Sequence, residues 1–511
     1  MARAPAAIAW LRRDLRVHDH PALTAALGEA DTVIPVFCLD DRLLGGAHLC
    51  ARRVRFMLES LADLRTTLAG LGGGLVVVHG RPEVSIVRLA RATGAKRVHF
   101  GFDVGEFARR RDGQVVTALR AIGAEAVAHP GVFALENPRA LVSGAGTPYG
   151  VFTPFHRAWE ARPRRSVLPA PVALPALPEA LQHGRLPDPA ELAGGSGPAS
   201  GSGSGPALGS GSGPALGSGS GPALGSGSGS GPALGSGEAL AGGERAGRAA
   251  LVAWLAGPVR RYADTRDDLG ADGGVSRLSS YLRFGCLSAR ELEDRLEDDE
   301  GSREYRRQLA WRDFFGYTLH HFPNSAREEL NPRYRGTIDW RDDEPGFKAW
   351  CEGRTGVPLV DASMRQLLSE GWIHNRARLV AGSFLTKDLG IDWRRGAAHF
   401  MAHLLDGDPA SNTGNWQWIA STGADPAPVY RRILSPTRQQ RRFDPDGIYV
   451  RRHVPELAPV PDRYLAEPWT MPPAVEAACG VRIGRDYPPP IVDHALARRE
   501  ALARYAGAAG R

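Results

Sequence analysis

The stretch Asp406-Gly-Asp-Pro-Ala-Ser-Asn-Thr-Gly-Asn-Trp-Gln-Trp418 says more about the fold than any other part of this chain. It packs two carboxylates, neutral amides and two indoles into thirteen residues with almost no apolar filler, which is not typical of a protein core. If Trp416 and Trp418 lie on a helix, a rotation of about 100° per residue places their indoles on nearly opposite sides. One indole can then face a buried cofactor while the other faces a ligand.

The overall composition bounds the class of protein. With 511 residues, 43% hydrophobic and 23% charged, the chain is long enough for two or three globular domains. The formal net charge is +7, and all basic residues except three lysines are arginine, which suits bidentate recognition of phosphate. A GC-rich codon bias would produce the same excess of arginine, so charge alone does not establish a nucleic-acid partner.

Cysteine and hydrophobicity patterns favour a cytoplasmic protein without a metal site. The five cysteines are widely scattered and lack CxxC spacing, which argues against a disulfide framework or a zinc site. His399 and His403 have i, i+4 spacing, but no carboxylate follows in the zincin pattern, so no metal is expected. Arg12 and Arg13 interrupt any signal-peptide core, and no apolar run reaches the ~18 residues of a membrane span.

Residues 1–133 are predicted to form an α/β domain. Short β-rich runs alternate with helix-like stretches, which predicts a doubly wound parallel sheet. The glycines at 70 and 72–74 precede a strand, so they favour a turn over a dinucleotide-binding loop. The predicted strands are Ala6–Leu11, Val33–Leu39, Leu75–His79 and Arg97–Phe100, and the predicted helices lie near 51–70, 82–93 and 105–122.

Residues 134–245 are predicted to connect this domain to a second one. Within them, the low-complexity segment 194–237 contains four near-copies of Gly-Ser-Gly-Ser-Gly-Pro-Ala-Leu. It cannot bury enough surface to offset the entropy of ordering, which predicts a long disordered linker of Gly, Ser, Pro, Ala and Leu. A repeat fold is the alternative, but such short repeats with one Leu each form no packed unit. As a coil, the linker would span on the order of 35 Å.

Residues 246–505 are predicted to form an all-α domain, because helical periodicity replaces the β-rich runs. Gln308, Trp311, Arg312 and Phe315 lie at i, i+3, i+4 and i+7 and form one stripe of a helix. A stripe that mixes an amide, an indole and a guanidinium makes a poor core. It indicates a lined pocket.

Several motifs together resemble one family. Gly274-Val-Ser-Arg-Leu-Ser279 places hydroxyls and backbone N–H groups before a helix-like run, as an anion site or a simple N-cap. With 406–418, Trp372-Ile-His-Asn-Arg-Ala-Arg378 and Trp10-Leu-Arg-Arg-Asp-Leu-Arg-Val-His-Asp19, it closely resembles the DNA photolyase and cryptochrome family. Within that family, the resemblance is closest to bacterial enzymes that repair cyclobutane pyrimidine dimers. It covers nearly all of the chain outside 163–245 and implies that the all-α domain binds FAD.

The resemblance implies which residues hold FAD. The segment 275–279 cradles the pyrophosphate in the family, where Thr or Ser usually stands in place of Val275. Arg378 pairs with Asp406 beside the flavin ring, and Asp408 and Asn412 contact its polar edge. Plant-type cryptochromes usually have Asp at the position that corresponds to Asn412, so Asn412 favours the photolyase branch. The implied set is Tyr262, Val275, Ser276, Arg277, Leu278, Ser279, Asn375, Arg378, Asp406, Gly407, Asp408 and Asn412.

Residues for electron transfer and for damaged DNA are implied in the same way. Trp416, Trp393 and Trp340 match the family's electron-hopping chain, whereas tryptophans are ordinarily core anchors. Trp311 and Trp418 would flank a flipped pyrimidine pair, because stacking is worth about 1–3 kcal/mol per base. For the arginines, a solvated basic face is the alternative. The implied DNA-binding set is Arg266, Gln308, Trp311, Arg312, Phe315, Asn375, Arg376, Trp418 and Gln439.

The implied function is light-driven repair of cyclobutane pyrimidine dimers by electron transfer from reduced FAD, with Asn412 and Gln308 at the reacting groups. Many photolyases carry Glu in place of Gln308, and Gln cannot give up a proton. The alternatives are a cryptochrome-like blue-light photoreceptor and a photolyase for the (6-4) photoproduct, which normally uses a histidine pair where only His374 is evident here.

The pigment and the partners are less closely defined by the sequence. Gly101 to Glu106 match the folate-antenna pattern poorly, so the second chromophore stays open between methenyltetrahydrofolate, a deazaflavin and none. UV-damaged DNA is the expected partner. We expect a cytoplasmic monomer that does not contact a membrane.

Overall fold

The computed structural model describes residues 4–44, 50–181, 183–188, 240–425 and 427–510, and the predicted linker 194–237 lies outside them. The N-terminal half holds a five-stranded sheet of order β3-β2-β1-β4-β5 in which every neighbouring pair is parallel. Its elements are β1 (Ala4–Leu11), α1 (Pro21–Glu29), β2 (Ala30–Leu39), α2 (Asp41–Leu44), α3 (Ala51–Gly70), β3 (Val76–His79), α4 (Pro82–Thr93), β4 (Arg97–Gly101), α5 (Glu106–Arg120) and β5 (Glu125–His129).

This sheet confirms the predicted α/β class. Alternate residues of β1 enter two apolar clusters, Ala7 and Leu11 in one and Ile8 and Trp10 in the other, because successive side chains of a strand point to opposite faces. The four predicted strands and three predicted helices are present within a few residues. The sequence reasoning missed α1, α2 and β5. The edge strand β5 is mostly half-exposed, and its apolar run is only the three residues 126–128.

The C-terminal half is helical, as predicted. The connector contributes α6 (Phe152–Glu160). A π-helical turn, Phe384–Asp388, follows the helix Asn375–Ser383. The remaining helices are α7 (Glu244–Leu255), α8 (Tyr262–Thr265), α9 (Ser279–Phe284), α10 (Ala289–Asp294), α11 (Glu300–His321), α12 (Glu344–Cys351), α13 (Pro358–Glu370), α14 (Asn375–Ser383), α15 (Trp393–His403), α16 (Pro409–Ala420), α17 (Pro436–Phe443), α18 (Ile448–His453), α19 (Asp462–Leu465), α20 (Pro473–Cys479) and α21 (His494–Ala509).

The two halves share one core. The ring of Phe56 on α3 lies 5.5 Å from that of Tyr281 and 5.0 Å from that of Phe284, both on α9. The buried carboxylate of Asp19 adds a polar tie, since it pairs with Arg165 of the connector and accepts a hydrogen bond of 2.5 Å from Ser288 of the helical half. The cavity described below is therefore held by both halves.

Parts of the predicted connector pack firmly and are not a free tether. Leu174 is buried, and its N–H donates to the Leu71 carbonyl at 2.7 Å. The Val77 N–H donates to the His183 carbonyl at 2.8 Å. Beyond the linker, the Gly242 N–H donates to Glu59 Oε2 at 2.8 Å. Both flanks of 194–237 thus lie against α3 and β3, while the boundaries at 133 and 245 stay predictions.

Three further observations concern the described part of the chain. No helix there is long and apolar enough to cross a membrane. No cluster of three or more His, Cys, Asp or Glu residues in that part is arranged to hold a metal ion. The five cysteines, all within the described ranges, are free thiols.

Candidate functional site

A cavity of about 660 Å³ opens in the helical half between α8, α9, α11, α14 and α16. It gathers most of the predicted cofactor and DNA residues into one place. Those lining it are Tyr262, Arg266, Val275, Ser276, Arg277, Leu278, Ser279, Gln308, Trp311, Arg312, Phe315, Asn375, Arg378, Asp406, Asp408, Asn412, Trp416 and Trp418. The predicted residues outside its wall are Gly407, Arg376, Gln439, Trp340 and Trp393.

The loop before α9 forms one end of this cavity. Arg277 has a φ of 52°, so the chain makes a sharp left-handed turn there. The Ser276 hydroxyl lies 2.8 Å from the hydroxyl of Tyr305, and it accepts the Leu278 N–H at 3.3 Å. The next hydroxyl, Ser279 Oγ, is buried without a hydrogen-bond partner in the described structure. The turn therefore presents an unused polar group to the cavity.

A second polar region lies where α14 meets the 406–412 segment. Arg378 Nη2 donates to Asp406 Oδ2 at 2.8 Å, so the predicted pair forms. Asp406 Oδ1 is buried and has no partner among the described residues. Asn412 Nδ2 donates to the Ala397 carbonyl at 3.0 Å, which fixes the side-chain amide and leaves its carbonyl oxygen as an acceptor.

Asp408 is held as a carboxylate by the arginines around it. It caps α16 by accepting the Ser411 N–H at 2.9 Å, and it accepts a second hydrogen bond of 2.5 Å from Arg13. Burial alone would raise the pKa of Asp408, but Arg13, Arg283 and Arg312 outweigh burial and lower the pKa to about 2. The group is therefore ionised at neutral pH.

Arg13 and Arg283 were not among the predicted site residues. Arg13 extends from the end of β1 to a partner 395 residues away in sequence, and it also pairs with Asp103. Burial lowers the pKa of Arg283 to about 9, and the nearby Arg13 acts in the same direction. The one available signal was that Arg13 lies inside the N-terminal motif that resembles the family.

Glu304 also lines the cavity and was missed. Gln308 Nε2 donates to Glu304 Oε1 at 3.0 Å, and Arg266 forms an ion pair with the same oxygen. The i, i+4 spacing of Glu304 and Gln308 on α11 was a usable signal. A carboxylate therefore lies one turn from the position where many members of the family carry Glu.

The two predicted stacking residues each have one face covered. The Trp311 indole lies parallel to the Phe152 ring, with centroids 3.6 Å apart and planes at 7°. The Arg432 guanidinium lies over the Trp418 ring, 4.3 Å from its centroid. Both indoles are half-buried and line the cavity. The Phe315 ring also lies 5.4 Å from the Trp311 ring, tilted by 35°, and the rest of each indole lines the cavity.

The three predicted electron-transfer tryptophans differ in their surroundings. Trp416 is 3% exposed, and its ring meets Phe400 edge-on at 5.0 Å. Trp393 belongs to the same apolar cluster and is also buried, whereas the half-buried Trp340 packs at the edge of that cluster. Trp340 lines a separate surface cleft of about 530 Å³.

Three other predicted or considered residues do not line the cavity. Arg376 pairs with Asp267 at 2.7 Å and lies over the Phe443 ring. Gln439 Oε1 is buried without a partner among the described residues. His374 caps α14 by accepting the Arg376 N–H, and burial lowers its pKa to about 4.

Comparisons with known proteins agree with this architecture. Residues 7–178 match the family model described as DNA photolyase, and residues 305–507 match the FAD binding domain of DNA photolyase. The chain is 39% identical to a deoxyribodipyrimidine photo-lyase of Streptomyces griseus, over 96% of this chain and 97% of the relative.

Solved structures give the same result. The crystal structure of a bacterial class III photolyase from Agrobacterium tumefaciens matches with a TM-score of 0.84 and 31% identity, over 100% of this chain and 99% of that one. A cryptochrome from Synechocystis sp. PCC6803 matches with a TM-score of 0.83 and 28% identity, over 98% and 99% of the two chains.

Proposed function

This chain belongs to the DNA photolyase and cryptochrome family, and from that membership we propose that it repairs cyclobutane pyrimidine dimers in DNA by light-driven electron transfer from bound reduced FAD. The observation that carries the proposal is the convergence of two sets of residues on one cavity. The polar Arg378, Asp406 and Asn412 line it together with the aromatic Trp311 and Trp418. A cofactor and two flipped, adjacent pyrimidines can therefore meet in the same space.

The cavity suits FAD because it offers polar atoms that lack a partner. Ser279 Oγ, in segment 275–279, and Asp406 Oδ1, in segment 406–412, are both buried. Neither atom makes a hydrogen bond within the described structure. A buried polar atom left unpaired costs about 1–3 kcal/mol, so a ligand that satisfies both gains that amount of free energy. Segment 275–279 would hold the pyrophosphate, and Arg378 with Asp406 would hold the polar edge of the ring.

When bound and reduced, FAD supplies the light-excited electron that splits the dimer. The side chains around it position the flavin and tune its electronic properties. Asn412 presents a neutral amide whose Nδ2 already binds the Ala397 carbonyl, so it accepts a hydrogen bond without readily supplying a proton. Asp408, ionised and tied to Arg13, holds the start of α16 and hence the orientation of Asn412.

For the lesion, we propose that Trp311 and Trp418 stack on the two flipped pyrimidines with their free faces. Gln308 would place its side-chain amide against the dimer, while Glu304 binds the Gln308 amide nitrogen and the Arg266 guanidinium and so orients both. Stacking worth about 1–3 kcal/mol per base offsets the cost of removing the bases from the duplex.

For reduction of the cofactor, we propose that Trp416, Trp393 and Trp340 form a hopping chain to solvent. The support is that Trp416 lines the cavity, that the half-buried Trp340 lines a surface cleft, and that the buried Trp393 belongs to the apolar cluster against which Trp340 packs. The apolar surroundings of Trp393 exclude water from the middle of the chain.

The decisive experiment uses purified, chemically reduced protein and an oligonucleotide with one cyclobutane dimer. Under blue light, absorbance of the pyrimidine 5,6 double bond should return, and a sample kept in the dark should show no change. Stable flavin binding without any return of absorbance under light would reject the proposal.

A blue-light photoreceptor is the second candidate, favoured by Gln308 at the position where many photolyases have Glu. It would bind FAD and fail the same repair assay. Repair of the (6-4) photoproduct is less well supported, because His374 lies outside the cavity wall and its lowered pKa keeps it neutral. An oligonucleotide carrying that photoproduct tests this alternative directly.

We further propose that the protein acts as a monomer in the cytoplasm. The five free cysteines support the compartment, because free thiols suit a reducing environment, and size-exclusion chromatography tests the monomeric state. A second, antenna chromophore, either methenyltetrahydrofolate or a deazaflavin, stays a prediction. The absorption spectrum of the purified protein tests it.

A further inference from the structure

We propose that Phe152 of the connector is a positioning residue for lesion binding: its ring backs one face of the Trp311 indole and leaves the opposite face for a flipped pyrimidine. The proposal rests on the proposed function, since it requires Trp311 to stack on the lesion. It assigns a role in recognition to a segment outside the helical half.

The geometry of the stack is the first support. The centroids of Phe152 and Trp311 lie 3.6 Å apart with the planes at 7°, which is face-to-face contact over the rings. Phe152 is 5% exposed and lies behind the cavity wall, whereas Trp311 lines the cavity. Phe314 closes another side of the indole, with its ring at 78° and 5.7 Å. The indole therefore has few directions in which to turn.

The anchoring of α6 is the second support. The Trp159 Nε1–H on α6 donates to the buried Asp313 Oδ2 of α11 at 2.9 Å. Asp313 also accepts the Leu135 N–H at 2.9 Å, so one carboxylate ties two parts of the connector to α11. Behind Phe152, the His156 ring stacks at 5.2 Å and 26°. Phe152 is thus held from behind and cannot easily move away from Trp311.

An indole that is already fixed in the free protein loses little side-chain conformational entropy when it stacks on a base. The cost of immobilising one side chain at an interface corresponds to a factor of about two to ten in affinity. Loss of the Phe152 ring should restore that cost and weaken binding of damaged DNA by about the same factor.

The test compares five variants of the flavin-loaded protein, one of which is Trp311→Ala alone. Phe152→Leu removes the flat ring but keeps an apolar side chain, and Phe152→Tyr restores a ring. Phe155→Leu is the matched control, because Phe155 lies on the same helix, is fully buried and packs on Phe314 and Tyr317. Phe152→Leu is also combined with Trp311→Ala. If Phe152→Leu does not fold, Phe152→Met is measured in its place.

We expect Phe152→Leu to raise the Kd for a dimer-containing oligonucleotide by about two- to ten-fold, with little change for the undamaged sequence and unchanged flavin content. Phe152→Tyr should restore the affinity, and Phe155→Leu should bind like the unmodified protein. In the Trp311→Ala background, Phe152→Leu should add no further loss, because the two residues act as one unit.

Three results would overturn the proposal: an additive loss in the Trp311→Ala background, an equal loss on both DNAs, or the same selective loss in Phe155→Leu. Failure of the underlying function has a different signature. Trp311→Ala alone would then leave binding of the dimer unchanged, whereas failure of the Phe152 proposal leaves the Trp311→Ala effect intact.

Discussion

Deletion of residues 194–237 should leave flavin binding and repair unchanged and should raise the stability of the protein slightly. The reason lies in the flanks. Gly184 accepts a hydrogen bond of 3.1 Å from Arg65, and the Gly242 N–H donates to Glu59 at 2.8 Å, so both flanks bind side chains of α3. Arg65 and Glu59 lie about 9 Å apart along the helix axis, at about 1.5 Å per residue.

The size of the effect follows from these anchors. The deletion leaves residues 185–193 and 238–241 between Gly184 and Gly242, a stretch that can extend to about 40 Å and so connects the anchors without strain. It shortens the loop roughly fourfold, and each halving of a flexible loop lowers the closure cost by about 0.6 kcal/mol. We therefore expect a gain of about 1 kcal/mol and a melting temperature higher by about 2 °C or less.

Thermal unfolding, flavin absorbance and repair of a dimer-containing oligonucleotide measure these outcomes together. A variant in which 194–237 is replaced by a Gly/Ser segment of equal length controls for composition, and it should behave like the unmodified protein. Gly184→Ala shows that the assay detects a disturbed anchor. Gly184 has a φ of 69°, and an added Cβ would overlap the Val77 carbonyl oxygen, so this variant should melt lower. Loss of flavin, or a drop of more than a few degrees on deletion, would refute the reasoning.

Three further predictions concern single residues. Trp340→Phe should block photoreduction of oxidised flavin by external donors, while repair by chemically reduced protein persists. Flavin absorbance under blue light measures the photoreduction. Equal loss of photoreduction and repair would contradict the assignment. Trp311→Ala and Trp418→Ala should each weaken binding to dimer-containing DNA by about 1–3 kcal/mol and change binding to undamaged DNA far less, where phosphate contacts dominate; equal effects in titrations of both DNAs would make the indoles structural. Burial alone would raise the pKa of Asp19, but Arg165 and further donors lower it to about 2. Because its folded pKa lies below its unfolded value, Asp19 stabilises the protein above about pH 4 and loses that contribution as the pH falls towards 2, an effect of about 2 kcal/mol. Asp19→Asn should flatten this acid limb in urea unfolding measured from pH 5 to 2, and a parallel decline in both proteins would count against it.

Local patterns were sufficient where a residue's neighbours in sequence determine its environment. The apolar runs of β1, β2 and β4 predicted these central strands, because a buried strand needs apolar residues along its length, and β3, at one edge, was predicted because it keeps a run of three valines. The same rule missed β5, whose edge position leaves it half-exposed. Asp406, Asp408 and Asn412 were predicted from the resemblance of their motif to the family, and local geometry then helps to bring them to one cavity, since Asp408 caps the helix that carries Asn412 four residues later.

The sequence by itself determined the α/β and all-α halves, the motifs of the cavity and the low-complexity character of 194–237. Only the tertiary structure decided that Arg13 pairs with the ionised Asp408, that the Phe152 ring stacks on Trp311, and that both flanks of the linker lie on α3. These contacts join residues far apart in the chain, and they exist only because the two halves and the connector pack around a shared core. Periodicity and local spacing describe one helix or strand at a time, so they carry no information on which distant surfaces will meet.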